Sequence, residues 1–442
     1  MRVMKWSMIA LAVAAAASTQ LAVAAPFVSD QAEAKGFVED SKLDLLVRNY
    51  YYNRNKKDGA TDDKDWTQGI QGMFSSGYTQ GLIGVGVEAW GQLAIKLDGS
   101  DKYAGTGNMS VDSDGEVNNS QGKAGAAAKF RISKTELKIG DMQPSTAPVF
   151  AVGGSRILHQ TATGIQLQSS EVKDLDLEGG HFTSATSQDS NARDGDLWAT
   201  YAGVKANSID YFGGKYGITP DLSVSLYGAK LEDVWNQYYA NANYTLALGG
   251  DNSINFDGNI YNTKDTGNAK AGEISNTAYS LAAAFSFLKA HTFTLGFQKV
   301  NGDTPFDYIG VGKNNRGGDS IFLANSIQYS DFNAPGEKSV QARYDLKMAE
   351  YGVPGLSFMT RYVKGWDIDG TNTPAGSPYA GLYGADGKHH ETNVEVKYVI
   401  QSGPAKDLSF RIRQAWHTAN ADEGEGDISE FRLITDYPLN IL

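Results

Sequence analysis

The chain has 442 residues, with 39 Lys+Arg against 51 Asp+Glu for a formal charge of −12, and it carries 50 Gly, 23 Tyr, 18 Phe, 7 Trp and no Cys. The absence of cysteine excludes a disulfide scaffold, thiolate metal ligands and thiol nucleophiles. The acidic balance argues against a nucleic-acid partner, which needs a basic surface to displace counterions.

Met1–Ala25 predicts a signal peptide. Arg2 and Lys5 form a basic start, Met8–Ala17 an apolar core, and Ala22-Val23-Ala24 a small-x-small cleavage site. Residues 26–442 then read as one domain. No stretch in it approaches the roughly 20 apolar residues of a membrane helix. An exported chain of this kind is either soluble or a β-barrel, because a closed barrel also satisfies every backbone group in lipid.

Two-residue alternation runs down the whole domain. In 42–54, Leu43, Leu45, Val47, Asn49 and Tyr51 share one face while Asp44, Leu46, Arg48, Tyr50 and Tyr52 share the other. Comparable runs follow at 65–75, 81–96, 122–132, 135–141, 161–169, 174–183, 207–217, 221–231, 235–247, 252–262, 273–287, 290–300, 338–347, 356–365, 390–400, 406–417 and 427–438. Segments 197–205 and 208–216 both look strand-like and would give nineteen. A bacterial barrel with both ends periplasmic needs an even number, so 197–205 is assigned to a loop and eighteen strands remain. Short turns such as 217–221, 248–253 and 400–407 alternate with long polar segments at 97–121, 141–160, 184–206, 301–337 and 366–389. That asymmetry fits a transmembrane antiparallel barrel with short periplasmic turns and long outer loops. A soluble β-sandwich or β-helix shares the alternation, but strand number and the export signal favour the barrel. Trp66, Trp90, Trp235, Trp366 and Trp416, with Tyr50, Tyr362, Tyr398 and Tyr437, lie mainly toward strand ends, as interfacial aromatics do.

The wet face is basic in spite of the net charge. Arg48, Lys129, Arg131, Arg343, Arg361, Lys397, Arg411, Arg413 and Arg432 all lie opposite apolar partners and so face the lumen. A row of such groups hands an anionic solute from one partner to the next, and arginine suits the task because its fork binds carboxylates bidentately. Pairing with Glu136, Asp176, Glu178, Asp345 and Glu395 across the interior is the competing reading. Two long segments are expected to fold inward and narrow the pore: 140–160, where Pro144 and Pro148 prevent sheet extension, and 301–338, which contains Asp307, Tyr308 and Phe322.

No catalytic residue is expected. None of the six histidines stands in an HExxH pair or beside a GxSxG elbow, and the Gly-rich 310–318 lacks the GK[ST] ending of a phosphate loop. His389, His390 and Glu391 suggest a metal, but neighbours on a strand point to opposite faces, so no metal and no cofactor is expected. The long loops leave a cell-surface adhesin or receptor as an alternative outside the channel class.

Several stretches are distinctive together: 36-GFVEDSKLDLLVRNYYYNR-54, 65-DWTQGIQGMFSSGYTQG-81, 129-KFRISKTELKIGD-141, 210-DYFGGKYGIT-219, 303-DTPFDYIG-310, 323-LANSIQYSDFNAPGEKS-339, 341-QARYDL-346, 361-RYVKGWD-367 and 437-YPLNIL-442. With these the chain resembles the OprD-type family of outer-membrane substrate-specific channels of pseudomonads. The resemblance implies an eighteen-stranded barrel in the Gram-negative outer membrane, monomeric or weakly trimeric, with inward-folded third and seventh loops. It implies an arginine ladder at Arg48, Arg131, Lys397, Arg411, Arg413 and Arg432, and a constriction at Asp307 with Tyr308. It further implies contact with outer-membrane lipid and lipopolysaccharide, insertion by the barrel-assembly machinery, and passive diffusion of small carboxylate-bearing nutrients. The secure basic lumen tilts the expectation toward aromatic monocarboxylates. A basic amino-acid channel or a less specific porin stays open.

Overall fold

The computed structural model describes residues 26–442, so the signal-peptide reading of Met1–Ala25 lies outside the described residues. Eighteen strands form the wall: β1 (Lys42–Lys56), β2 (Asp63–Ser75), β3 (Gly84–Asp98), β4 (Ser120–Ile132), β5 (Thr135–Met142), β6 (Thr161–Ser169), β7 (Leu175–Thr186), β8 (Ile209–Thr219), β9 (Leu222–Leu231), β10 (Trp235–Gly249), β11 (Asn252–Asp265), β12 (Ser275–Phe287), β13 (His291–Asn301), β14 (Lys338–Lys347), β15 (Leu356–Ile368), β16 (Gly387–Val399), β17 (Ser409–Ala419) and β18 (Ile428–Asn440). Each pairs antiparallel with its neighbours in sequence. β1 closes on β18 from Asp44 opposite Asn440 to Lys56 opposite Ile428, so the sheet has no free edge.

Closure follows from the alternation. On β3, Val85, Val87, Leu93 and Ile95 face outward and are exposed, while Trp90, Gln92 and Ala94 are buried inside. The same outward set continues through Ile139, Leu167, Phe212, Leu226, Leu281, Val340, Val394 and Ile412, an apolar belt suited to acyl chains. Hairpin turns on one rim are tight, as at Gly249 and Gly250, whose successive positive φ values (90° and 59°) reverse the chain between β10 and β11. The opposite rim carries the long loops, here numbered in chain order: loop 3 is 143–160, loop 4 187–208, loop 7 302–337, loop 8 369–386 and loop 9 420–427.

Segment 197–205 belongs to a loop. Leu197–Ala199 pairs with Val204–Ala206 and with Ile309–Val311, which in turn pairs with Arg316–Gly317, making a small four-stranded sheet separate from the wall. The aromatic reading holds for Trp66, Trp416, Tyr362 and Tyr398, which are exposed outward. It fails for Trp90, Trp235 and Tyr50, which are 5%, 0% and 0% exposed. These three share the phase of the lumen-facing residues, so proximity to a strand end did not decide their side.

Candidate functional site

Loop 3 runs inside the barrel because wall side chains satisfy its backbone. Arg48 donates to the carbonyls of Gly154 (3.0 Å) and Arg156 (2.6 Å), Gln71 donates to Ile157 (2.9 Å), and the Gln92 carboxamide accepts from the His159 amide (3.0 Å). The approach is close: a Cβ at Gly69 would stand 2.9 Å from the Ile157 side chain. Further round the wall, Phe150 of loop 3 packs on Phe182 (4.8 Å between centroids) and Tyr211 (5.9 Å). Loop 7 is tied in the same manner. Phe306 packs on Tyr261 (4.7 Å), Asn276 donates to the Thr304 carbonyl (2.7 Å), and Gln298 donates to the carbonyls of Asp331 and Phe332.

The Asp307 carboxylate lies away from the channel. It is 2% exposed and accepts from the backbone amides of Tyr201 (2.9 Å), Ala202 (3.0 Å) and Tyr308 (2.7 Å) and from the Tyr379 hydroxyl (2.9 Å). Loss of water pushes this carboxyl up to about 6 even against those donors. Asp307 therefore pins loop 4 and loop 8 to loop 7, which corrects its expected place in the pore lining. Tyr308 does line the interior space. Its hydroxyl and that of Tyr201 both donate to Asp331 (3.0 and 2.9 Å), with the rings 6.0 Å apart and edge-on. Asp331 and Tyr201 were missed in the sequence. Tyr201 sits in the segment that resembles a strand, and Asp331 in the distinctive 330-SDFNAPGEKS-339.

All nine basic residues face inward, in two groups. Lys129 and Arg131 flank the Tyr78 ring (4.7 and 3.9 Å), with Arg131 donating to Gln31 and Ser29. The other seven cover β14–β18 and β1. Arg343 forks onto Asp345 (2.7 and 2.7 Å), Arg48 onto Asp436 (2.7 and 3.1 Å), and Arg361 holds Asn393 (2.9 and 2.7 Å). Arg411 and Arg413 share Glu395 (2.7 and 3.1 Å), and Arg432 pairs with Glu430 (2.5 Å). Both competing readings of the sequence are thus visible at once: acids interleave with the row, but Arg411 and Arg413 have one carboxylate between them. Register places Lys397 directly across from Arg411, which extends the positive stretch.

A cavity of about 240 Å³ lies between loops 3 and 7. Arg54, Arg156 and Arg316 line it, with Tyr308 and Asp319 on the loop 7 side. Arg54 is held by Glu430 (2.6 Å) and Arg316 by Asp189 (2.6 Å). Arg156 donates to the Thr106 carbonyl (2.8 Å) and the Ser155 hydroxyl (3.3 Å) and has no carboxylate within ion-pair distance among the described residues. Tyr52 organises this side: its ring lies 5.3–5.5 Å from the guanidinium carbons of Arg54, Arg156 and Arg432, and its hydroxyl donates to Glu430 (2.6 Å). Burial pushes the Asp319 carboxyl up to about 6, with the Gly154 amide and Arg156 acting the other way.

A family model described as outer membrane porin, OprD family, matches residues 35–441. Porin D of Pseudomonas aeruginosa is 64% identical over 448 residues, covering 100% of both chains. A crystal structure of Pseudomonas aeruginosa OprD superimposes with a TM-score of 0.84 at 61% identity, covering 94% of this chain and 100% of that one. Pseudomonas aeruginosa OpdK, solved with vanillate, is 33% identical with a TM-score of 0.82, covering 92% and 100%.

Proposed function

We propose that this chain, which belongs to the OprD family of outer membrane porins and carries small solutes across the outer membrane by passive diffusion, selects solutes bearing a carboxylate. The observation that supports this best is Arg156, a guanidinium with no carboxylate within ion-pair distance among the described residues, lining a cavity already flanked by Arg54 and Arg316. Along the wall, Arg413, Arg411 and Lys397 supply the next positions, and Arg48, Arg343, Arg361 and Arg432 keep the local charge positive. A carboxylate moving past them exchanges one charge-assisted bond for another and never crosses an unpaired stretch.

Within this class, Asp319 and Asp331 favour a solute that also carries an ammonium group. Asp319 lines the cavity together with Arg156, and Asp331 accepts the hydroxyl of Tyr308, which also lines it, so an ammonium group would find its acids on the loop 7 side while the carboxylate meets Arg156. A second reading, small aromatic acids, draws on the vanillate-bound relative and on the Tyr201–Tyr308 pair beside the cavity. The lean toward aromatic acids in the sequence rested on having no secure acidic partner for an ammonium group. Asp331 and Asp319 now supply candidates.

Single-channel recording in planar bilayers with arginine, lysine, benzoate and acetate as blockers tests both levels. Arg156→Ala is expected to weaken block by every carboxylate about tenfold, equivalent to roughly 1.4 kcal/mol. Low salt should strengthen block in the unmodified channel. Asp319→Asn is expected to weaken arginine and lysine while leaving benzoate unchanged. Equal loss for all four solutes would support the aromatic-acid or unselective reading instead.

A further inference from the structure

At the long-loop ends of β16 and β17, His389 and His417 turn into the barrel on diagonal positions, with His417 opposite Glu391 and His389 opposite Ala419. Their side chains are 1% and 0% exposed, and Nδ1 of His389 lies 2.9 Å from Nε2 of His417. The outer nitrogens are engaged elsewhere. Nδ1 of His417 is 3.0 Å from the Gly426 carbonyl, and Nε2 of His389 is 2.7 Å from Oε1 of Glu337. A carbonyl only accepts, so the His417 proton belongs on Nδ1 and its lone pair on Nε2. Burial pushes the Glu337 carboxyl up to about 8; in its ionised form, the form that accompanies a bound cation, it fixes His389 in the corresponding way, with the lone pair on Nδ1. The two lone pairs then oppose each other across 2.9 Å, an arrangement that calls for a positive centre.

Two carboxylates close the same space from loop 9. Oε1 of Glu423 is 3.9 Å from His389 Nδ1, and Oε2 of Glu425 is 3.7 Å from His417 Nε2. That Glu425 oxygen is buried and receives no hydrogen bond. The four ligand atoms all lie within 4.8 Å of one another.

We propose that His389, His417, Glu423 and Glu425 form a binding site for a divalent transition-metal ion, with zinc the best match. Two imidazoles and two carboxylates are a normal zinc donor set, and bonds of about 2.0–2.2 Å in a tetrahedron put ligand atoms about 3.3–3.5 Å apart. The observed spacings lie on either side of that value and converge by small side-chain rotations. Calcium and magnesium prefer oxygen donors throughout and fit a histidine pair poorly. The contacts of Glu337 and Gly426 are those expected of outer partners that orient ligating histidines. Phe332 of loop 7 stacks on His389 (4.2 Å) and Tyr329 packs at a tilt against His417 (4.9 Å), so the ion would cross-link loop 9 to the wall where loop 7 is anchored. The sequence conceals this site, because His389 pairs with His417 across strands and not with His390 beside it. The proposal is independent of which solute the channel carries.

Detergent-purified protein, stripped with a chelator, is titrated with zinc chloride by calorimetry, and cobalt(II) is added separately to record visible absorption. One zinc per chain and an intense tetrahedral cobalt spectrum are expected. His389→Ala/His417→Ala should lose at least about 100-fold in zinc affinity, and Glu337→Gln about 10- to 100-fold. Heat-modifiable migration on gels shows whether each variant remains a folded barrel, and Glu337→Gln, which keeps all four ligands, serves if the double variant does not fold. Absence of zinc binding by folded wild-type protein would overturn the proposal and leave a shared proton between the histidines. Binding undiminished in a folded double variant, or in Glu337→Gln where the double variant does not fold, would overturn it by placing the zinc elsewhere.

Discussion

The two halves of the lumen wall obey one alternation rule and are used in opposite ways. Over β7–β11 the inward residues include the rings of Phe182, Tyr211, Tyr227, Trp235, Tyr239 and Tyr261, which pack with Phe150 of loop 3 and Phe306 of loop 7 in one buried cluster. Over β14–β18 and β1 the inward residues include Arg343, Arg361, Lys397, Arg411, Arg413, Arg432 and Arg48, interleaved with Asp345, Glu395, Glu430 and Asp436, and the loops touch the row through polar atoms. The aromatic half is a seal: it removes area from water and fixes the loops. On the function proposed above, the basic half is the one that meets the solute. On that proposal, packing one side of the lumen with loops narrows the barrel and brings the remaining passage up against the charged side.

The largest effect should come from breaking the seal. Phe150→Ala removes a fully buried ring that touches two others and is expected to cost about 3–5 kcal/mol. Loop 3 then loses its apolar anchor, and single-channel conductance should rise with a loss of carboxylate block. An unchanged conductance would mean that the polar ties from Arg48 and Gln71 hold the loop alone.

Arg48 stands where the halves meet, since it belongs to the basic row yet donates to two loop 3 carbonyls while forking onto Asp436. Arg48→Ala is expected to destabilise the loop by roughly 1–3 kcal/mol and to appear as open-channel current noise. Arg48→Lys keeps the charge and loses the fork, so it sharpens the comparison: noise with preserved anion preference would separate the anchoring role from the charge role. Further along, Arg411→Ala/Arg413→Ala removes both ion-pair partners of Glu395 and leaves Lys397 to balance it, so a positive stretch becomes neutral. Reversal potentials in a salt gradient should shift toward cation preference while conductance stays close to its starting value.

How far these halves were legible follows from what alternation encodes. It assigns each side chain to a face, which was enough to place the wall strands and to put all nine basic residues inside, while the even strand number came from the requirement that both ends be periplasmic. It carries no information on depth or on which loop covers which wall. Tyr50 and Trp235 thus read as interfacial from their positions near strand ends, though their phase matched the lumen. Asp307 read as a pore acid because the family resemblance implied a constriction there, whereas here three backbone amides and Tyr379 enclose it. Arg156 and Asp331 act through contacts between loops distant in sequence, and no local pattern reports such contacts.

The smallest effect belongs to a hydroxyl on the sealed side. Tyr239 donates to Asn259 (2.6 Å) within a packed group of rings, 4.7 Å from Tyr261 and 6.2 Å from Phe322. Tyr239→Phe keeps the ring and all of its apolar contact. It leaves the Asn259 oxygen with Asn241, which already donates to it (2.9 Å), so no buried acceptor is orphaned. The expected cost is about 1 kcal/mol, read as a slightly lower denaturation midpoint, with ion selectivity and solute block unchanged. The parallel change on the open side, Tyr308→Phe, takes one of two tyrosine donors from Asp331, leaving Tyr201. Its stability cost should be similar, but block by ammonium-bearing solutes should strengthen because the Asp331 charge is less shared. Equal selectivity changes in both variants would show that the aromatic half also meets the solute, and the division between a sealing wall and a sorting wall would fall.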